Sequence, residues 1–193
     1  ERGFRIGQVF DIVREFSKLR STPIILFGYY NPVLRMGEDE FVARAHDAGA
    51  AGTLLVDLSF EESTGIRSAL SERQMHFIPL IAPTTAPVRA RTIAESATGF
   101  IYYVSMTGVT GDAIRGLDAI RTRVEELRTF SETPIAVGFG VRTGEDVAQV
   151  ARFADGVVVG SELVRRLHAA DGEGLPEVGR RFVASLREHT SKS

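Results

Sequence analysis

The sequence predicts an α/β fold built on a parallel β-sheet, and three observations indicate it. Six short apolar runs of strand type recur along the 193 residues, at intervals of roughly 20 to 30 residues. Stretches of helical periodicity follow the runs. The runs are apolar on both faces, as expected for strands covered by helices on one side and by a packed interior on the other.

Each strand is predicted from one apolar run, and each helix from apolar side chains spaced three or four residues apart. The strand runs are residues 23–29, 52–58, 76–82, 99–105, 134–140 and 156–161. The clearest helical patterns are Ile6, Val9, Phe10, Val13 and Phe16; Leu117, Ile120, Val124 and Leu127; and Val178, Phe182 and Leu186. Weaker ones lie at 41–48, 66–70, 147–151 and 163–167. No linker divides the chain, so we predict a single domain over residues 1–193.

Composition excludes several classes of function. With 23 basic and 25 acidic residues the net charge is −2, too little positive charge to predict a nucleic-acid or anionic-membrane partner. No apolar run approaches the roughly 18 residues of a membrane span, and the first residues do not resemble a signal peptide. Cysteine is absent, and the four histidines lack metal-site spacing, so we expect no metal. We expect a cytoplasmic protein that binds a small molecule.

Glycines at the ends of the last two strand runs indicate an anion site. Gly138-Phe139-Gly140 and Gly160-Ser161 each lead from a strand into a helix, whose free N–H groups attract phosphate. The alternative is that these glycines only permit tight turns. Their late position, without a G-x-G-x-x-G after the first strand, favours a phosphate-binding eight-stranded barrel, whereas the chain length favours an open sheet.

Polar residues at other strand ends have two interpretations each. Asp57 ends an apolar strand, where it is either a buried general base or, more commonly, a helix-capping or ion-paired carboxylate. Residues 105–111 are small and polar, and form either a loop that closes over a ligand or a solvated surface loop.

Five motifs in a fixed order resemble one known family over essentially the whole chain. They are Tyr29-Tyr30-Asn31-Pro32 followed by Gly37; Val56-Asp57-Leu58-Ser59-Phe60-Glu61-Glu62; Tyr102-Tyr103-Val104-Ser105 leading to Gly108-Val109-Thr110-Gly111; Gly138-Phe139-Gly140-Val141; and Gly160-Ser161. The chain resembles the tryptophan synthase α subunit family. This resemblance implies a (β/α)8 TIM barrel of the phosphate-binding type, with six of the eight strand-helix units in this sequence.

The resemblance also implies a reaction and partners. The family carries out the retro-aldol cleavage of indole-3-glycerol phosphate to indole and glyceraldehyde 3-phosphate, a lyase step of tryptophan biosynthesis. Indole then passes to a pyridoxal-phosphate-dependent β subunit, so an α2β2 heterotetramer is expected, with no cofactor in this subunit. Two further readings are a noncatalytic subunit that binds a phosphate ligand and another phosphate-binding barrel isomerase or lyase.

Site residues follow from the resemblance position by position. Gly111, Phe139, Gly140, Gly160 and Ser161 match residues that hold the substrate phosphate. Tyr102 matches the active-site tyrosine, Phe27 and Leu54 match positions lining the indole pocket, and Thr110 matches the hinge threonine of the closing loop. The catalytic glutamate and aspartate of the family lie in two preceding units, and Asp57 does not match that aspartate. We therefore assign no catalytic residue and expect these 193 residues alone to lack lyase activity.

Overall fold

The computed structural model describes residues 5–104, 116–138, 140–170 and 174–190. Within these ranges the chain forms seven β-strands and nine α-helices. It packs as two compact units. Unit 1 is Glu1–Leu80 with Ala97–Gly99, and unit 2 is Ile81–Ser96 with Phe100–Ser193.

Unit 1 is built on a three-stranded parallel sheet in the order β1-β2-β3. In the register of this sheet, Phe27 lies opposite Leu54, and Thr53 lies opposite Phe77. Its elements in chain order are α1 (Ile6–Leu19), β1 (Ile25–Gly28), α2 (Tyr30–Met36), α3 (Glu38–Ala48), β2 (Gly52–Leu55), α4 (Thr64–Glu72) and β3 (His76–Phe77).

The core of unit 1 lies between this sheet and its helices. Phe10 of α1 is 1% exposed, and its ring centroid lies 5.8 Å from that of Phe41 in α3. Ile66 and Leu70 of α4 are fully buried in the same cluster. Burying each such side chain stabilises the folded state by about 1.5–3 kcal/mol, so these contacts hold the helices against the strands.

The remaining strands form a four-stranded sheet in the order β4-β5-β6-β7, in which the β5–β6 and β6–β7 pairs are parallel. Asp155, just before β7, accepts the N–H of Ile135 at the start of β6 (2.9 Å) and pairs with Arg128 of α6. The elements are β4 (Leu80–Ile81), α5 (Pro87–Glu95), β5 (Ile101–Val104), α6 (Leu117–Arg128), β6 (Ile135–Gly138), α7 (Gly144–Ala151), β7 (Gly156–Val158), α8 (Ser161–Ala169) and α9 (Leu175–Arg187).

All six predicted strand runs contain a strand, with one difference. The run 76–82 is divided into β3 and β4 around Ile78-Pro79, because proline has no N–H with which to continue a ladder. The parts of the predicted runs at Ser105 and Phe139 lie outside the described residues. None of the described helices combines the length and the apolar character that crossing a membrane requires.

Two helices were not predicted from periodicity. In α5 the buried side chains are Ala90, Ile93 and Ala94, so two of its three core positions are small and the apolar signal is weak. Helix α2 has only seven residues and begins directly after β1. Both helices are therefore set by their surroundings more than by their own hydrophobic pattern.

Candidate functional site

The predicted anion site lies at the carboxyl ends of two neighbouring strands of unit 2. Strands β6 and β7 are parallel, with Gly138 opposite Val158, so their carboxyl ends lie at the same edge of the sheet. Gly140 follows β6, and Gly160 and Ser161 follow β7 and open α8. All three are exposed. The edge of the sheet therefore presents backbone donors to solvent where a parallel α/β fold binds ligands.

The glycines at this edge serve different purposes. A Cβ on Gly138 would lie 3.0 Å from Cε2 of Tyr102 and closer still to its hydroxyl oxygen, so Gly138 makes room for the tyrosine ring. Among the described residues, a Cβ on Gly140 or Gly160 would meet nothing within 4 Å. No described atom therefore occupies the space beside these two glycines, and Gly140 has a φ of +28°, which favours glycine.

The two helices that begin here differ in their capping. Helix α7 has a capping box: the Asp146 carboxylate accepts the backbone N–H of Thr143 (2.9 Å), and the Thr143 hydroxyl accepts the backbone N–H of Asp146. Helix α8 has Gly160 at its N-cap and, within the described part of the chain, receives no side-chain cap. Its first N–H groups are without acceptors in the helix and are oriented to receive an anion.

Tyr102 lies on β5, directly beside β6. It is half-buried, and burial raises the pKa of its phenol further above neutral pH, where a tyrosine hydroxyl is already protonated. The side chain extends across the neighbouring strand to Gly138. The phenol is thus a neutral hydrogen-bonding group fixed close to the end of β6.

A buried carboxylate next to Ser161 was not predicted. The Glu162 side chain is 6% exposed and accepts hydrogen bonds from Arg165 (2.7 and 2.8 Å) and Arg166 (2.7 Å). These hydrogen bonds lower the pKa of Glu162 to about 2. The signal was present in the sequence, because glutamate followed by arginine three and four residues later is the spacing of helical ion pairs.

In unit 1, Phe27 and Leu54 are register partners on β1 and β2, so their side chains lie on the same face of the sheet. Leu54 is 2% exposed, whereas Phe27 is 64% exposed. Leu54 is thus enclosed by protein atoms, whereas the aromatic ring of Phe27 beside it is accessible to solvent.

Asp57 caps a helix. Its carboxylate accepts the backbone N–H of Tyr30, the first residue of α2, at 2.7 Å. The Tyr30 hydroxyl in turn donates to Glu38 at 2.8 Å, and this hydrogen bond is the main cause of the raised pKa of Tyr30. The capping interpretation of Asp57 therefore matches the structure, and the residue holds α2 against the end of β2.

A cavity of about 620 Å³ in unit 1 is lined by residues of α1, β1, α2, α3 and β2, among them Val9, Phe27 and Val33, but not by Leu54. Among the described residues, no group of three or more histidine, aspartate or glutamate side chains is placed to hold a metal ion. Three predicted site residues, Thr110, Gly111 and Phe139, lie outside the described residues.

Comparison with known proteins agrees with this geometry. Residues 1–191 match the profile of the family described as Tryptophan synthase alpha chain. The chain is 42% identical over 189 residues to the tryptophan synthase alpha chain of Thioalkalivibrio sulfidiphilus, covering 97% of this chain and 70% of the relative. It is 39% identical to that of Methylibium petroleiphilum, covering 100% and 71%.

Solved structures give the same result. The tryptophan synthase alpha chain of Legionella pneumophila superposes with a TM-score of 0.84 at 36% identity, covering 97% of this chain and 70% of that one. A structure of Mycobacterium tuberculosis tryptophan synthase superposes with a TM-score of 0.88 at 34% identity, covering 99% of this chain and 71% of that one. These likenesses confirm the predicted fold class, an α/β TIM barrel, although the described strands of this chain form two sheets and do not close the barrel. The chain belongs to the tryptophan synthase alpha chain family, a family of lyases in tryptophan biosynthesis.

Proposed function

We propose that this chain acts in the cleavage of indole-3-glycerol phosphate to indole and glyceraldehyde 3-phosphate, and that unit 2 binds the phosphate of this substrate. The observation that carries the proposal is the start of α8, which no described side chain caps, beside Gly140 and Gly160, whose surroundings no described atom fills. Backbone N–H groups of α8, with the Ser161 hydroxyl, are donors suited to phosphate oxygens. Gly111 and Phe139 are proposed to complete this group, and Thr110 is proposed as the hinge threonine of the closing loop.

The reaction breaks the carbon–carbon bond between the indole ring and the glycerol chain. A proton is added at the ring carbon, and the hydroxyl on the adjacent chain carbon loses its proton as the aldehyde forms, so atoms and charge balance. We propose that Tyr102 of unit 2, with a neutral phenol, contacts the substrate and orients it. The assignment of Phe27 and Leu54 to the indole pocket stays a prediction from the family resemblance. Glycine N–H groups and a serine hydroxyl can bind phosphate oxygens, but they do not gain or lose protons near neutral pH. We therefore assign them no acid–base step.

We further propose a tryptophan synthase β subunit as the partner of this chain, in an α2β2 assembly, because the family name designates an alpha chain. The pyridoxal phosphate belongs to that partner, and this chain needs no cofactor for proton transfer chemistry. A doubly charged phosphate ester does not cross membranes freely, which supports a cytoplasmic location. Measuring the mass of the complex formed with a β subunit of a related protein tests the assembly.

Titration calorimetry tests the phosphate site. The chain is expected to bind indole-3-glycerol phosphate and glycerol 3-phosphate, and to bind indole-3-glycerol, which lacks the phosphate, at least about tenfold more weakly. Gly160→Ala places a methyl group in the space assigned to the ligand, where it meets no atom of the described residues within 4 Å. This variant is expected to unfold like the wild type and to lose phosphate affinity.

Gly174→Ala is the matched control, because its added Cβ also meets no described atom within 4 Å and Gly174 lies at the start of α9 rather than at the site. It is expected to bind both phosphate compounds normally. Equal affinities for the phosphorylated and unphosphorylated compounds, or normal binding by Gly160→Ala, would contradict the proposed site.

A further inference from the structure

A cavity of about 390 Å³ lies in unit 2, where α7 and α8 begin. It is lined by Arg142, Thr143, Ser161, Glu162, Arg165 and Arg166. Three arginines and one glutamate give this lining a formal charge of +2. Because Ser161 also belongs to the proposed phosphate site, the cavity adjoins that site. Charges act over about 8–10 Å before salt screens them. The charged side chains of the cavity are therefore expected to act on a dianion bound at the adjoining phosphate site.

Two of the three arginines are committed to Glu162. Arg165 binds the carboxylate with two donors, and Arg166 binds it with its Nε at 2.7 Å. The guanidinium of Arg166 also stacks on Phe182 of α9, 4.4 Å from the ring centroid. Both side chains are therefore held in place by protein contacts, and their charges offset a carboxylate that would otherwise repel a phosphate.

Arg142 differs from the other two arginines. Its backbone N–H donates to the Asp146 carboxylate of α7 at 2.9 Å, which fixes the main chain at this position. Among the residues that the structure describes, its guanidinium has no acidic partner. Arg142 is exposed and follows Gly140 by two residues. A guanidinium so placed can offer paired donors to phosphate oxygens.

We propose that Arg142 is a further specificity residue of the phosphate site, contacting the dianion directly, and that Arg165 and Arg166 act as positioning residues that neutralise Glu162. This inference rests on the phosphate site proposed above. It distinguishes two ways in which an arginine favours a phosphate ester. Arg142 supplies both a charge and hydrogen-bond donors to the ligand, whereas Arg165 supplies charge alone.

Two double variants with the same net charge as the wild type separate these contributions. In Arg165→Gln/Glu162→Gln a positive and a negative charge are removed together, and the affinity for glycerol 3-phosphate is expected to stay within about twofold of the wild type. Arg142→Gln/Glu162→Gln makes the same change in charge but also removes the direct donors. Its affinity is expected to remain about three- to tenfold lower.

The measurement is calorimetric titration of the whole chain with glycerol 3-phosphate, with thermal unfolding recorded for each variant. The single variant Arg142→Gln is expected to bind about three- to tenfold more weakly, and Arg142→Lys to fall between it and the wild type. Arg91→Gln removes the same charge from α5, outside the cavity, and is expected to bind normally.

The possible results have distinct meanings. Normal binding by Arg142→Gln, or equal affinities of the two double variants, overturns the direct contact while leaving the phosphate site intact. If the folded wild-type chain binds no glycerol 3-phosphate, the phosphate site itself is refuted, and the role of Arg142 with it. A lower affinity confined to the variants that lack Arg142 supports the proposal.

Discussion

Replacing Gly138 by alanine tests whether the position of Tyr102 depends on the absence of a side chain on β6. The added Cβ would lie 3.0 Å from Cε2 of Tyr102 and closer still to the hydroxyl oxygen, whereas carbon atoms pack at about 3.5–4.0 Å. Gly138 is buried in a strand, so the ring has to retreat by roughly an ångström or more. Overpacking of this kind costs about 1–3 kcal/mol in the free energy of unfolding.

Urea unfolding of four proteins measures this cost: the wild type, Gly138→Ala, Tyr102→Leu and the double variant. Because removing the ring removes the collision, the two losses are expected to be non-additive, with a coupling of about 1–2 kcal/mol. Gly28→Ala is the matched control, since Gly28 also ends a strand and its added Cβ meets nothing within 4 Å. A loss in Gly138→Ala no larger than in Gly28→Ala, or strictly additive losses, would refute the reasoning.

Three further changes have expected outcomes. Gly52→Ala places a Cβ 3.0 Å from the carbonyl carbon of His76 on the paired strand, so urea unfolding should show a loss of more than about 2 kcal/mol, since a backbone cannot rotate away. Asp57→Ala removes the acceptor for the Tyr30 N–H and should cost about 0.5–2 kcal/mol in the same assay, which an unchanged midpoint would contradict. Ion pairing holds the pKa of Glu162 at about 2, below its usual 4.5, so its contribution to stability is present above about pH 4.5 and is lost as the pH falls towards 2. Glu162→Gln should therefore lose less stability than the wild type between pH 5 and pH 3, and an equal loss would contradict this.

The strands and the long helices could be predicted from the sequence because burial imposes a readable period on them. Helix α1 shows its pattern in Phe10 and Val13, which are buried at spacing three. Helix α5 shows little apolar periodicity, because its buried face is mostly alanine. The start of α2 is stabilised by the carboxylate of Asp57, which is remote in the sequence. A contact between residues 27 positions apart leaves no local signal in the sequence.

For the candidate site, the sequence indicated where the donors lie but not the purpose of each glycine. Gly138 and Gly140 look alike in the motif, yet Tyr102 occupies the space beside Gly138, whereas none of the described residues occupies the space beside Gly140. Only the register of β5 against β6 decides which glycine has a neighbour. The burial of Glu162 was likewise not predictable, because a glutamate in the first turn of a helix is typically exposed.

A local rule nevertheless distinguishes the two helix starts at this site. Helix α7 has Thr143 at its N-cap and Asp146 three residues later, so its own side chains occupy its first donors. The corresponding positions of α8 are Gly160 and Leu163, neither of which has a side chain that can accept a hydrogen bond. A ligand at α7 would have to displace a carboxylate, whereas a ligand at α8 gains donors that would otherwise bind water. The local sequence therefore favours α8 over α7 as the helix that binds the proposed phosphate, and the helix that is already capped supplies the fixed main chain from which Arg142 extends.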